Sequence, residues 1–156
     1  MGIHFDETCK TFHLKTSDTS YVMKILKDKY LVHLYWGRRL RDNNLDYLLR
    51  PIERPFSPFP NPIDKSYSLD TLPVEYPTYG NSDFRIPAFS VLLDNGTTVV
   101  DLSYKTHQII QGKPRLAGLP ATYVQDDSEA ETLEIELADD PTGLRVVLLY
   151  TVFRDF

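Results

Sequence analysis

This 156-residue sequence contains no long apolar run. Its unbroken apolar stretches, such as Val146 to Tyr150, are only a few residues long. A membrane-spanning helix needs about 20, so no membrane partner is expected. The first residues, Met1 to Glu7, show no basic start leading into an apolar stretch, and no secretory leader is expected. Gly2 is followed at Phe5-Asp6 by neither of the hydroxyl residues that myristoylation calls for. Basic clusters are also missing. Net charge is −5, and Lys and Arg form no block longer than Arg38-Arg39. Phosphate backbones are held by clustered basic fields, so nucleic acid is excluded as a main partner.

Cysteine is nearly absent too. The lone Cys9 cannot form an internal disulfide, which fits a reducing compartment. No His-plus-acid setting surrounds it, so it reads as an ordinary thiol near a strand. The four histidines, His4, His13, His33 and His107, have no metal-ligand spacing. His33 fits a sheet position instead. No G-x-S-x-G, Walker or G-x-G-x-x-G string occurs, so neither metal nor cofactor is expected.

What is present is alternation. Phe12-His13-Leu14, Ser20 to Leu26 and Tyr30 to Trp36 place apolar and polar residues by turns, the pattern of half-buried strands. The short gap Lys27 to Lys29 suits a hairpin. Ala88 to Leu93 and Thr97 to Tyr104 flank Asp94-Asn95-Gly96, a second hairpin signal, because Asn and Gly tolerate positive φ. Thr132 to Ala138 and Leu144 to Phe153 bracket a turn cluster at Asp139 to Gly143. The apolar run in the last of these predicts a strand buried on both faces. Leu40 to Arg50 is the one segment whose composition suits a helix, and Asn43-Asn44 weakens it. These elements predict an all-β fold, an antiparallel β-sandwich.

Proline is concentrated in one place. Residues 51–80 hold seven of the 11 prolines, with Phe56, Phe59, Tyr67, Leu69, Leu72, Tyr76 and Tyr79 among them. Proline breaks ladders and helices. The aromatic and apolar residues argue against a solvated linker. An ordered, irregular, functional loop is expected. Asp126 to Glu136 is acidic, but Glu134 and Glu136 alternate with Leu133, Ile135 and Leu137, so one solvated strand face accounts for them.

Several strings are more specific. Glu75 to Ala88 (EYPTYGNSDFRIPA) resembles the E-Y-P-x-Y-G-x-x-D-F-R-x-P-A block of family 36 glycoside hydrolases. Gly112 to Tyr123 (GKPRLAGLPATY) resembles that family's G-K-P-x-L-x-G-L-P-A-T-Y block. Ser20-Tyr21-Val22, His33 to Gly37, Glu129 to Ile135 and Leu149-Tyr150-Thr151 follow the family's order, and the resemblance covers essentially the whole chain.

This resemblance implies that residues 1–156 are the N-terminal β-sandwich domain of a bacterial, cytoplasmic α-galactosidase, the first part of a β-supersandwich. The parent enzyme would be a homotetramer that hydrolyses terminal α-galactosyl residues of raffinose-type sugars with retention. The resemblance places the nucleophile in a K-W-D string and the acid/base in an S-D-x-x-D string, both in a catalytic barrel. Neither string occurs here, since Trp36 lies in Tyr-Trp-Gly and Ser17-Asp18 and Ser82-Asp83 lack the continuation. The chain alone is expected to be inactive. The 51–80 loop would reach a neighbouring subunit's galactose pocket, with Glu53 and Lys65 at the matching positions. Relatives carry Asp and Arg there, and Lys lacks the fixed fork of Arg. A stand-alone carbohydrate-binding module and a purely structural domain are the alternatives.

Overall fold

The computed structural model describes residues 2–52 and 59–154. Among the described residues, seven strands form two antiparallel sheets. The first sheet is a meander of β1 (Gly2–Asp6), β2 (Thr11–Lys15), β3 (Thr19–Leu26) and β4 (Tyr30–Arg38). The second runs β5 (Ser103–Gln111), β6 (Ala130–Asp139) and β7 (Leu144–Phe153). Among the described residues no helix is long and apolar enough to cross a membrane.

Period-two patterning sets which side chains meet. Phe12 lies opposite Met23, and Ile25 opposite Leu31, so these residues share one face of the first sheet. On β6, Leu133, Ile135 and Leu137 share the facing surface. The two sets interlock with Leu14, Val100, Leu102 and Val152 as the main core. The other face of the first sheet is also covered. Leu26, Tyr30 and Val32 pack there against Tyr67, Leu69 and Leu72 from the Pro-rich segment. That segment therefore forms a third layer over the sandwich.

The turns follow from local chemistry. Lys27 and Asp28 both have φ near +54° and the Lys29 amide donates to the Leu26 carbonyl, as in a type I′ turn, with Leu26 opposite Tyr30 across a three-residue loop. Gly143 closes the β6–β7 hairpin at φ 73°, its amide donating to the Asp139 carbonyl at 2.9 Å.

Four features differ from the sequence reading. The Asn95-Gly96 turn forms, with the Leu93 amide donating to the Thr97 carbonyl, but no ladder extends from it. Residues 97–102 are drawn elsewhere: Val100 is buried, and its amide donates to the Tyr79 carbonyl at 3.2 Å. Residues 40–50 hold only a 3₁₀ turn, Asp46–Leu48, because Leu45 alone among them is buried and no apolar stripe exists to dock a helix. β7 is not covered on both faces, since Arg145 and Val147 on its outer face are exposed, and it is an edge strand. Finally, β1 is an additional strand, tied across the sandwich by the Ile3 amide donating to Glu131 Oε2 at 2.8 Å.

Candidate pocket-closing segment and its anchors

Of the two residues singled out for a sugar pocket, Glu53 lies outside the described residues. Lys65 is exposed. Its main chain is held on both sides. Asn61 Oδ1 accepts from the amides of Ile63 and Asp64. Asp64 in turn accepts from the amide and hydroxyl of Ser66 and pairs with Lys27 at 2.8 Å. The Lys27 ammonium, helped by the Ser66 donors, holds the Asp64 carboxyl down at about 2. Just beyond, Tyr67, Ser68 and Leu69 are buried. Lys65 thus projects from an irregular but tied turn, positioned over the β3–β4 hairpin.

Two further anchors hold the segment downstream. Arg85 makes a two-point contact with Asp83, Nε to Oδ1 at 2.9 Å and Nη2 to Oδ2 at 2.6 Å. Its remaining donors reach the carbonyls of Leu72 at 2.8 Å and Leu69 at 3.0 Å. Arg85 therefore binds loop to loop. Nearby, Asp70 accepts from the Ser68 hydroxyl.

The second anchor is Glu75. Its carboxylate is about nine-tenths buried. Oε1 accepts from the Tyr21 hydroxyl on β3 and from the Tyr150 hydroxyl on β7 at 3.0 Å. His33 Nδ1 on β4 lies 3.5 Å from Oε2. The Glu75 amide donates to the Leu31 carbonyl and the His33 amide to Pro73, stitching residues 73–75 along β4. Burial, reinforced by the Glu75 carboxylate, pushes both phenols well above their ordinary value. They remain protonated donors. The sequence reading passed over Glu75 except as a motif letter. The usable signal was a lone acid entering an aromatic, Pro-rich stretch, but its phenol partners lie 54 and 75 residues away.

The Gly112 to Tyr123 block forms a separate open hollow of about 370 Å³, lined by Lys113, Arg115, Leu119, Tyr123 and Asp127. Glu134 and Glu136 pair across the outer sheet face with Gln108 and Arg145, as a solvated face predicts. Among the described residues no group of three His, Cys, Asp or Glu side chains is placed to hold a metal.

Comparison with known proteins agrees with this layout. The profile of the Glycosyl hydrolase family 36 N-terminal domain matches residues 29–156. Alpha-galactosidase AgaA of Geobacillus stearothermophilus is 52% identical over 154 residues, covering 99% of this chain and 21% of that protein. The bifunctional alpha-galactosidase/sucrose kinase AgaSK of Mediterraneibacter gnavus is 41% identical, covering 99% of this chain and 17% of that protein. The crystal structure of alpha-galactosidase AgaB from Geobacillus stearothermophilus matches with a TM-score of 0.92 at 52% identity, over 100% of this chain and 21% of that one. An AgaA variant solved in complex with raffinose matches at 0.88 with 54% identity, over 94% of this chain and 20% of that one. The chain spans about a fifth of the length of these relatives. With a matching profile over most of its length and these identities, the chain belongs to glycosyl hydrolase family 36, as an N-terminal domain of that family.

Proposed function

We propose that this chain is the assembly and pocket-closing domain of a cytoplasmic, homo-oligomeric, retaining α-galactosidase acting on raffinose-type oligosaccharides. The catalytic carboxylates then lie outside this chain, in the parent's barrel. They would flank the scissile bond about 5–5.5 Å apart, as retaining glycosidases require. The relatives support the substrate class, since AgaA variants were solved with raffinose and with stachyose.

One observation carries the pocket-closing role: Lys65 is exposed on a turn whose two flanks are pinned. A charged side chain on a pre-ordered turn loses little further backbone entropy when it meets a ligand hydroxyl. A solvated loop charge with no such task needs none of that anchoring. In this reading Lys65 and Glu53 reach the galactose pocket of an adjacent subunit, one donating to a sugar hydroxyl and the other accepting.

Changing Lys65→Ala in the full-length enzyme tests this. The melting temperature should hold and KM for raffinose should rise by roughly tenfold, the worth of one charge-assisted hydrogen bond of about 1.5 kcal/mol. Unchanged KM would leave only the structural reading. Galactose binding by the isolated chain would favour a stand-alone sugar-binding module.

A further inference from the structure

Glu75 is the point where three parts of the molecule meet. β3 contributes Tyr21, β7 contributes Tyr150 and β4 contributes His33, while Glu75 itself belongs to the Pro-rich segment. Only one side chain joins both sheets to that segment through a single carboxylate oxygen, among the hydrogen bonds of the described residues. A carboxylate this buried is costly unless its lone pairs are filled. Two phenols donate to Oε1, and the His33 imidazole faces Oε2 at 3.5 Å.

Apolar docking alone does not explain this arrangement. The segment already packs Tyr67, Leu69 and Leu72 on the first sheet. Those contacts are non-directional and would allow sliding along the sheet surface. Hydrogen bonds from two fixed phenols define position as well as energy. The paired backbone bonds at residues 73–75 set register along β4, with Val32 bridging Val74. Together they fix where the chain leaves the sandwich on its way back to Leu72, Leu69 and Lys65.

We propose that Glu75 is a positioning residue that sets the reach of the Lys65 turn by locking the Pro-rich segment to both sheets at once. This rests on the pocket-closing role of Lys65, and the two can fail separately. Glu75 touches no substrate. It acts by removing alternative placements of the segment. Glu75→Gln preserves shape and one accepting oxygen, but it removes the charge and puts an amide donor near the imidazole.

The experiment uses the full-length enzyme and reads two quantities. Amide hydrogen exchange in residues 61–72 should quicken at least tenfold in Glu75→Gln, while exchange across β6 stays within twofold. KM for raffinose should rise severalfold, with kcat within twofold of wild type. Tyr21→Phe combined with Tyr150→Phe should show the same local pattern at smaller amplitude, which keeps the test usable if Glu75→Gln fails to fold. Exchange that is unchanged in residues 61–72, or that quickens equally in β6, overturns the locking role. Faster local exchange with unaltered KM supports the lock and overturns the pocket-closing reading.

Discussion

β7 gives the most direct test of how the sandwich ends. It pairs with β6 on one side and forms the edge of its sheet. Open backbone groups on an edge template pairing with other chains, so the 156-residue chain should self-associate. The register distinguishes Leu148 from Val147 as a place to block this. Leu148 lies opposite Ile135, a fully buried residue, and packs against the core. Val147 lies opposite Glu136 and is 52% exposed. Leu148→Lys therefore strips apolar contact from a half-buried site and forces an ammonium to snorkel. It should cost roughly 2–3 kcal/mol, about 4–12 °C in melting temperature for a domain this size. Val147→Lys instead places an ammonium beside the Glu136 carboxylate, a cross-strand pair worth about 0.2–1 kcal/mol. Its stability should stay close to wild type while the edge becomes charged. Sedimentation velocity over a range of concentrations, with thermal melts, separates the two. Val147→Lys should move the chain toward monomer without lowering the melt. If it associates like wild type, β7 is not the contact; if it unfolds, its outer face is covered.

Two other perturbations address the layers. Asp64 is held at about 2, below its ordinary 3.8. The stabilising contribution of its pair with Lys27 is therefore present above about pH 4 and lost as pH falls toward 2. An NMR titration should give an Asp64 midpoint near that value, and Lys27→Ala should return it toward the ordinary carboxylate range. Leu72 is 2% exposed on the inner side of the Pro-rich segment, whereas Leu133 is at the centre of the sandwich. Each change to Ala should cost about 2–5 kcal/mol, but Leu72→Ala should open residues 59–75 to protease before global unfolding, and Leu133→Ala should lower the global transition. Equal protease susceptibility in both variants would show that the third layer does not open independently.

The strands were legible where one face is dry and the other wet. β6 alternates in this way from Leu133 to Leu137, while β3 and β4 bury residues on both faces because the Pro-rich segment covers the second one. Leu144 to Phe153 was placed correctly as a strand and misread in burial. Its apolar run reflects core contact through Val146, Leu148, Tyr150 and Val152, together with apolar residues left on an outer face. A run of Val and Leu says nothing about which neighbour is present on the far side. The Asn95-Gly96 turn shows the opposite limit. Turn chemistry is local and was readable, but a ladder needs partners, and Val100 finds its partners at Thr78 and Tyr79 instead.

The candidate site divides the same way. Lys65 came from a position in a family pattern, and nothing in its immediate sequence distinguishes it from a solvated loop charge. What supports it is the ring of contacts around it: Asn61 and Ser66 close by, Lys27 from a distant hairpin, and Arg85 and Glu75 beyond the buried Tyr67–Leu72 stretch. The close contacts are ordinary Asx-type turn chemistry and could be read from the string Asn61-Pro62-Ile63-Asp64. The distant ones could not, because each joins residues that only the folded chain brings together. Proline concentration pointed to irregular backbone, and the aromatics pointed to packing. The direction in which the packed segment presents its charges is fixed only once two phenols from different sheets meet one carboxylate.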